Sequence, residues 1–211
     1  MKDFPMFTTE NGVASLVLKE IPYRQEAYIL LRTTQRPEEL LEECASFCRI
    51  CGAQKVYASG HSVVERYPIH TAIYEMRGQI LPEPDRIVPL FPVTSQTVAR
   101  WRELYNQAMR PVPNAGTLEA KDEQRLIAGE TYFVHREGQL LGIGYLSEDT
   151  LEAMACFVPG QGMTVLHTLA SIHPDMPLRL EVASENRRAI ALYEKAGFFK
   201  VKELSTWYSI E

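Results

Sequence analysis

The sequence predicts a mixed α/β fold, in which helices and strands alternate along the chain. Alternating apolar runs such as PLRLEV are typical of strands. Runs with apolar residues three and four positions apart, such as SQTVARWRELYNQAM, are typical of amphipathic helices. From residue 86 the predicted order is helix, helix, hairpin, strand, helix, strand, helix and strands, which indicates an α/β lobe with a mixed sheet.

The first 85 residues predict a smaller α/β lobe. The runs ASLVLKEI and EAYILLRT predict a β-hairpin, RPEELLEECASFCRICGA predicts a helix, and KVYASG and HTAIYEMRG predict two further strands. The proline-rich run QILPEPDRIVPLFP follows, and proline is excluded from central strands and helix interiors. We therefore predict one lobe at residues 1–85 and a second at residues 86–211.

Three of the four cysteines, Cys44, Cys48 and Cys51, fall on the predicted helix of the first lobe. Their C-x3-C-x2-C spacing resembles that of an iron–sulfur site, which leaves a metal or redox protein as a hypothesis. With Leu40 and Phe47, however, they form the single apolar stripe of an amphipathic helix, where cysteine serves as a small core residue. The sequence offers no evident fourth ligand, so we expect core cysteines and no metal.

The second lobe carries recognisable helix and turn signals. Ser95 is the predicted N-cap of its first helix, and a second helix follows in EAKDEQRLIAG. The run TYFVHREGQLLGIGYL predicts a hairpin that turns at Glu137 and Gly138, and TLEAMACFV predicts the next strand. The last helix lies in ENRRAIALYEKAGFF, with Asn186 as its N-cap and Gly197 just after its C-terminus.

Composition narrows the classes of function. The 211 residues are 45% hydrophobic and 23% charged, which is typical of a globular protein. The formal net charge of −5 disfavours nucleic acid as a partner and favours a cation such as an amine. Because no apolar run is long enough to cross a bilayer and no signal peptide is evident, we expect a cytoplasmic protein with no membrane partner.

A fixed spacing of residues marks the last predicted strand and helix. A strand ending in Val is followed by the pattern N-x-x-A-x-x-L-Y-x-K-x-G-F. The matching residues are Val182, Asn186, Ala189, Leu192, Tyr193, Lys195, Gly197 and Phe198. This pattern, the REGQLLGIGYL hairpin and the element order of residues 86–211 resemble the GNAT superfamily of acyl-CoA-dependent N-acyltransferases. The resemblance implies a mainly antiparallel mixed sheet flanked by helices, and it is fainter over residues 1–85, which resemble a degenerate GNAT-like lobe.

The resemblance implies an N-acetyltransferase that moves the acetyl group of acetyl-CoA to an amine by direct attack. In the family, the strand that corresponds to MACFV splays from its neighbour and binds the pantetheine arm. This correspondence places Ala155 to Val158 along the arm through their backbone atoms, and it assigns Cys156, Phe157 and Val158 to the cofactor. It also assigns Asn186 to the neighbourhood of the pantetheine and Tyr193 to protonation of the departing thiolate, besides contact with the cofactor.

The turn that would bind the pyrophosphate departs from the family pattern Q/R-x-x-G-x-G/A. Backbone N–H groups of Gln161, Gly162, Met163 and Thr164 are the candidate donors, because a helix N-terminus favours an anion. If Gly162 takes the place of the first glycine, Pro159 stands at the Gln or Arg position. If Gln161 takes that position instead, Thr164 replaces the first glycine. The stretch contains no Lys or Arg, so a plain glycine-containing turn is the alternative interpretation.

The remaining roles stay open at the level of the sequence. Glu152, on the strand that leads to the cofactor site, is the candidate general base, acting directly or through water. Tyr193 also fits a purely structural role, because Ala189, Leu192 and Ala196 share its apolar stripe. The expected acceptor is a small-molecule or peptide amine, and the expected assembly is a monomer or homodimer. The alternative function is a non-catalytic GNAT-like ligand-sensing or interaction module with a weakened CoA site.

Overall fold

The computed structural model describes residues 5–81 and 83–210, and these pack into two compact units. The first unit holds the described residues up to Ile73 together with those from Leu204 onward. The second holds Tyr74–Glu203, apart from the one residue in that range outside the described part. Packing alone does not show which segment folds by itself, so the domain division near residue 85 stays a prediction.

The first unit is a sheet with one long helix. Its elements are β1 (Met6–Thr9), β2 (Gly12–Val17), α1 (Ile21–Arg24), β3 (Glu26–Thr34), α2 (Pro37–Ile50) and β4 (Lys55–Ser59). The predicted hairpin is confirmed, because β2 and β3 are antiparallel, and β3 then pairs with β4 in parallel. The end of the last strand, β11 (Phe199–Ile210), pairs antiparallel with β4.

Helix α2 begins and ends as its sequence predicts. Pro37 occupies the first turn, and the acidic residues there complement the positive end of the helix dipole. Its buried residues are Leu40, Leu41, Cys44, Ala45 and Cys48. The predicted stripe was therefore partly wrong: Phe47 is 36% exposed and Cys51 is an exposed C-cap residue. The buried face is centred near Cys48, because Leu41 and Ala45 also pack inward.

The cysteine helix has the chemistry of a core element. Burial raises the pKa of the Cys44 thiol to about 12 and that of Cys48 to about 11. Both thiols therefore keep their protons at neutral pH, as buried core cysteines do. Within residues 5–81 and 83–210, no three His, Cys, Asp or Glu side chains are grouped so that they could hold a metal ion.

The second unit has the predicted mixed α/β architecture. Its strands are the later residues of β5 (Ile69–Gly78), β6 (Leu90–Pro92), β7 (Glu130–Arg136), β8 (Gln139–Ser147), β9 (Thr150–Cys156) and β10 (Leu178–Ala183). Its helices are α3 (Val98–Met109), α4 (Glu123–Ala128), α5 (Gly162–Ala170) and α6 (Arg187–Lys195). The strand order is β5-β10-β9-β8-β7-β6, and the pairs from β6 to β9 are antiparallel. The predicted mainly antiparallel sheet flanked by helices is confirmed.

The N-terminus of α3 differs from the prediction. Ser95 is not the N-cap, because the helix begins at Val98 after Thr97. A turn closes before the helix: Thr94 N–H donates to Thr97 Oγ1 over 2.9 Å, and Val98 N–H donates to the Thr94 carbonyl. The helix then buries its apolar face, with Trp101 fully enclosed.

Among the described residues, no helix is long and apolar enough to span a bilayer.

The proline-rich segment is fixed to α5 by two buried side chains. His167 Nδ1 accepts a hydrogen bond from Glu83 N–H over 3.3 Å, and its Nε2 lies 3.8 Å from a Glu83 carboxylate oxygen. Thr168 Oγ1 accepts from Val88 N–H and donates to the Arg86 carbonyl, each over 3.2 Å. Burial lowers the pKa of His167, although the Glu83 carboxylate opposes that shift.

We expect His167 to make the stability of the chain depend on pH. Because its folded-state pKa is lowered, the unfolded chain binds the proton more readily, so the free energy of unfolding falls as pH drops below about 6.5. Protonation would also convert Nδ1 from an acceptor into a donor facing Glu83 N–H. The loss is measured as the difference between the free energy of urea unfolding at neutral pH and that at about one pH unit below the ordinary histidine pKa.

His167→Gln should reduce this acid-side loss. His135→Gln is the matched control, because it removes a half-buried imidazole that packs edge-on against Phe91, and it should leave the loss unchanged. An equal pH dependence in the His167→Gln variant and the unmodified chain would contradict the assignment.

Candidate functional site

Strands β9 and β10 separate just after they begin. They run parallel but pair at one position only, Arg179 with Thr150. On its other side β9 stays paired with β8 as far as Cys156. The β10-facing backbone of β9 therefore has no strand partner among the described residues beyond that first position. Unpaired N–H and C=O groups of this kind suit an extended polar ligand that adds to the sheet.

The register identifies which residues of β9 face the gap. Phe157 N–H donates to the Leu141 carbonyl over 2.8 Å, so Phe157 bonds toward β8. Along an antiparallel pair, residues that hydrogen-bond to the neighbouring strand alternate with residues that do not, so Ala155 also bonds toward β8. The backbone groups of Met154 and Cys156 then point to the open side. The sequence predicted Cys156 on this side but not Met154. Its prediction that the backbone of Ala155 and Phe157 also faces the arm was wrong, because both bond toward β8.

The turn between β9 and α5 is held by its own backbone. The Val158 carbonyl accepts from Gln161 N–H over 3.2 Å and from the Cys156 thiol over 3.1 Å. Gly160 adopts a φ of 82°, in the left-handed region that suits glycine. The N–H of Gln161 is therefore used inside the turn and is not one of the free donors that the sequence predicted.

Helix α5 presents unused donors at its N-terminus. Its first intrahelical bond runs from Val165 N–H to the Gln161 carbonyl over 3.0 Å. The N–H groups of Gly162, Met163 and Thr164 precede it and have no helical acceptor. Together with the helix dipole, these three groups form a binding site suited to an anion.

A cation from a distant hairpin lies beside this helix N-terminus. Arg136 ends β7, and its Nη1 donates to Gln161 Oε1 over 3.4 Å. The predicted turn is confirmed, because Glu137 and Gly138 have φ values of 50° and 80°, as a tight two-residue hairpin requires. The segment from β9 to α5 contains no Lys or Arg, so Arg136 supplies the positive charge at this helix N-terminus.

Helix α6 packs closely against the start of α5. A Cβ atom on Gly162 would lie 3.2 Å from Leu192 Cδ2, so glycine permits this approach. The ends of α6 are as predicted. Asn186 Oδ1 accepts from Ala189 N–H over 3.3 Å as an N-cap, and Gly197 follows the C-terminus with a φ of 93°.

Tyr193 is a core residue of the second unit. Its side chain is 9% exposed, and its ring lies 5.8 Å from that of Phe198, centroid to centroid. Burial raises the pKa of the Tyr193 phenol to about 12, so the hydroxyl is protonated at neutral pH. The structural role that its spacing predicts is thus confirmed, and its catalytic role stays a prediction.

The arrangement was compared with known proteins. No protein-family model matches the sequence, and no curated protein matches it. Among solved structures, a functionally unknown conserved protein from Staphylococcus epidermidis has a TM-score of 0.63 at 11% identity, covering 99% of this chain and 94% of that one. A GCN5-related N-acetyltransferase from Anabaena variabilis has a TM-score of 0.62 at 12% identity, covering 94% and 59%. A tandem GNAT protein from the clavulanic acid biosynthesis pathway has a TM-score of 0.56 at 12% identity, covering 95% and 79%.

The chain has the GNAT fold. At these identities the likeness shows the fold and not the activity. Strand β9, helix α5 and the turn between them carry the sequence-predicted cofactor residues from Cys156 to Thr164, whereas Asn186 and Tyr193 lie on α6. Phe157, with a side chain 37% exposed, and Val158 lie in the turn between β9 and α5.

The candidate base Glu152 lies on the same strand of the GNAT fold. Leu146 pairs with Leu151 and Tyr145 pairs with Ala153, so Glu152 is the extra residue of a β-bulge. Its side chain is exposed. Bulges near active sites commonly re-aim a side chain, and this geometry keeps the Glu152 carboxylate in contact with solvent.

Proposed function

We propose that the second unit is an N-acetyltransferase that moves the acetyl group of acetyl-CoA to an amine. The observation that carries the proposal is the opening between β9 and β10, which leads to the N-terminus of α5. The opening offers backbone groups to an extended amide-containing arm, and the helix offers N–H donors to an anion. Pantetheine joined to pyrophosphate has both features.

The cofactor would be held largely by backbone atoms. Met154 and Cys156 would pair with the pantetheine, as an added strand does. The pyrophosphate would accept from the N–H groups of Gly162, Met163 and Thr164. Phe157, Val158 and Asn186 would border the arm. These roles follow from the GNAT fold and from the unused hydrogen-bonding groups described above.

Two side chains would complete the phosphate site. The Arg136 guanidinium would pair with a phosphate oxygen, since its planar donors match phosphate geometry. Gln161 would orient Arg136 through its Oε1 rather than bind the cofactor through its N–H. Such a site would hold the pyrophosphate, so the alternative of a non-catalytic module with a weakened CoA site is not favoured.

Acetyl transfer would then proceed by direct attack in a ternary complex. The amine nitrogen forms a bond to the thioester carbon, and the C–S bond breaks. The departing thiolate takes the phenolic proton of Tyr193, which is protonated at neutral pH; because burial raises the pKa of this phenol, it is a weaker acid than an ordinary tyrosine. The proton lost by the amine passes to Glu152, directly or through water, and the Tyr193 phenolate regains a proton afterwards.

Isothermal titration of the full chain with acetyl-CoA tests the proposal. We expect saturable binding at millimolar concentration or below, with CoA itself binding similarly because the acetyl group adds few contacts. S-acetylpantetheine, which lacks the pyrophosphate, should bind more weakly, since it leaves the N–H groups of α5 unpaired. Absence of binding at millimolar acetyl-CoA would overturn the proposal.

A further inference from the structure

The first unit has an edge strand, β1, whose own sequence does not block its open side. β1 pairs with β2 on one side, and on its other side it has no strand partner within residues 5–81 and 83–210. An open edge offers unpaired N–H and C=O groups to any other strand, so proteins commonly block it with proline or charged side chains. The sequence of β1, MFTT, contains neither.

The pairing of β1 with β2 shows which backbone groups of β1 face outward. Leu16 N–H donates to the Pro5 carbonyl over 3.0 Å, so Pro5 bonds toward β2. The two strands pair without a register shift, and residues that bond to the neighbouring strand alternate with residues that do not. Phe7 therefore also bonds toward β2, whereas the N–H and C=O groups of Met6 and Thr8 face the open side.

The edge strand of the second unit, β6, is blocked where β1 is open. His135 N–H of β7 donates to the Pro89 carbonyl over 3.2 Å, so Pro89 bonds toward β7. By the same alternation Leu90 and Pro92 face the open side of β6, and Pro92 has no N–H to offer. Of these two edges, β1 alone offers a donor at each outward residue.

A second copy of β1 is complementary to the first. Two β1 strands can pair antiparallel about a two-fold axis with Phe7 opposite Phe7, which places Met6 of each copy opposite Thr8 of the other. These are the outward residues, so each of the two Met6–Thr8 pairs exchanges two hydrogen bonds and the interface contains four. The neighbouring two-fold registers place Met6 opposite Met6, or Thr8 opposite Thr8, and form one such pair within β1.

The side chains at this axis are apolar. Opposite residues that exchange no hydrogen bonds come closest in an antiparallel pair, so the two Phe7 side chains meet across the axis. Each Phe7 ring already packs against Phe47 of α2, with the ring centroids 5.0 Å apart. Phe47 is 36% exposed, and Ile50, one turn further along α2, is 83% exposed. Pairing two β1 strands therefore joins two small apolar surfaces and removes part of each from water.

We propose that β1 is the interface of a homodimer, in which two copies of the chain pair their β1 strands antiparallel about a two-fold axis at Phe7. The pairing uses the open β1 edge of both copies, so assembly stops at two chains. A four-residue strand makes a small contact, which predicts a dimer that dissociates on dilution. The proposal rests on the first unit and does not depend on acetyl transfer by the second.

Sedimentation velocity of the full chain over a concentration series tests the assembly. We expect a monomer at about 1 µM and a dimer as the main species at about 500 µM, as for a dissociation constant in the micromolar range. A monomer at every concentration up to about 500 µM overturns the proposal, and so does growth into assemblies larger than a dimer.

A pair of substitutions at Thr8 locates the interface. Thr8→Pro removes an outward N–H and leaves the bonds to β2 in place, so the dimer loses two of its four hydrogen bonds. The dissociation constant should rise about tenfold or more. Thr8→Val is the matched control, because it changes the side chain but keeps the N–H, and it should alter the constant less than about twofold. An unchanged dissociation constant for Thr8→Pro places the interface elsewhere and overturns the proposal.

Amide hydrogen exchange of the unmodified chain decides the question if Thr8→Pro fails to fold. The N–H groups of Met6 and Thr8 should exchange about twofold or more slowly at about 500 µM than at about 50 µM, because the dimer protects them. The N–H of Phe7, which bonds to β2, should exchange at the same rate at both concentrations. Exchange at Met6 and Thr8 that does not depend on concentration overturns the proposal.

Discussion

Replacing Tyr193 by Phe is expected to lower the turnover number about a hundredfold or more, with little change in acetyl-CoA affinity. The change deletes one oxygen, so the packing against Phe198 is kept. What is lost is the proton that the departing thiolate needs. Turnover is measured as release of free CoA thiol, with the amine that supports the fastest reaction, across a range of pH.

The control for this prediction removes the same atom elsewhere. Tyr132→Phe alters a partly buried tyrosine on β7 and should leave turnover unchanged. Thermal unfolding of the Tyr193→Phe variant should match the unmodified chain, because losing a phenolic hydroxyl leaves the apolar ring in its core. Full turnover of the Tyr193→Phe variant at every pH would remove Tyr193 from the chemistry and leave it only its structural role.

Replacing Arg136 by Gln is expected to weaken acetyl-CoA binding about tenfold or more. Glutamine retains a polar side chain but cannot offer the charged, planar donors that match a phosphate. The dissociation constant from isothermal titration measures the effect, and it should be lost in high salt, which screens the partly exposed guanidinium.

A second arginine and a truncated ligand serve as controls for Arg136. Arg110→Gln changes an exposed residue at the C-terminus of α3 and should leave the dissociation constant unaltered. Pantetheine, which lacks the pyrophosphate, should bind the Arg136→Gln variant and the unmodified chain equally. If acetyl-CoA binds the Arg136→Gln variant as tightly as the unmodified chain, the phosphate site lies elsewhere.

Much of the second unit could be predicted because its signals are local. Asn186 caps α6 and Gly197 ends it through hydrogen bonds and dihedral angles within a few residues. The hairpin turn at Glu137 and Gly138 is equally local. Ser95 failed as an N-cap because Thr94 and Thr97 close a competing turn two residues later, and several nearby hydroxyls offer the same signal.

Arg136 and Met154, the candidate site residues that the sequence did not predict, are placed by the sheet register, which the sequence does not specify. Strand β8 pairs with β7 on one side and with β9 on the other, so the end of β7 lies close to the end of β9. Arg136, at the end of β7, therefore lies near the turn that follows β9 and reaches α5. Met154 faces the open side of β9 because the pairing of Phe157 with Leu141 sets the alternation. Aligning the three predicted strands by their apolar alternation is the signal that could have found both residues.

Helix α2 of the first unit shows the same limit at longer range. Asn11 donates a hydrogen bond to Glu43, although the two residues are 32 positions apart and neither belongs to a motif. The sequence predicted the helix that carries Glu43 but turned its apolar stripe toward Phe47 and Cys51 rather than Leu41 and Ala45. A small rotation of that stripe decides whether Phe47 is a core or a surface residue, and only packing against the sheet fixes it.

Backbone amide NMR during titration with acetyl-CoA tests the central claim most directly. The account predicts that the N–H signals of Gly162, Met163 and Thr164 shift most, together with those of Met154 and Cys156 on the open side of β9. The N–H of Gln161, which donates to Val158, should shift less than these. Saturable binding that leaves the five predicted signals in place and moves signals elsewhere would contradict the account.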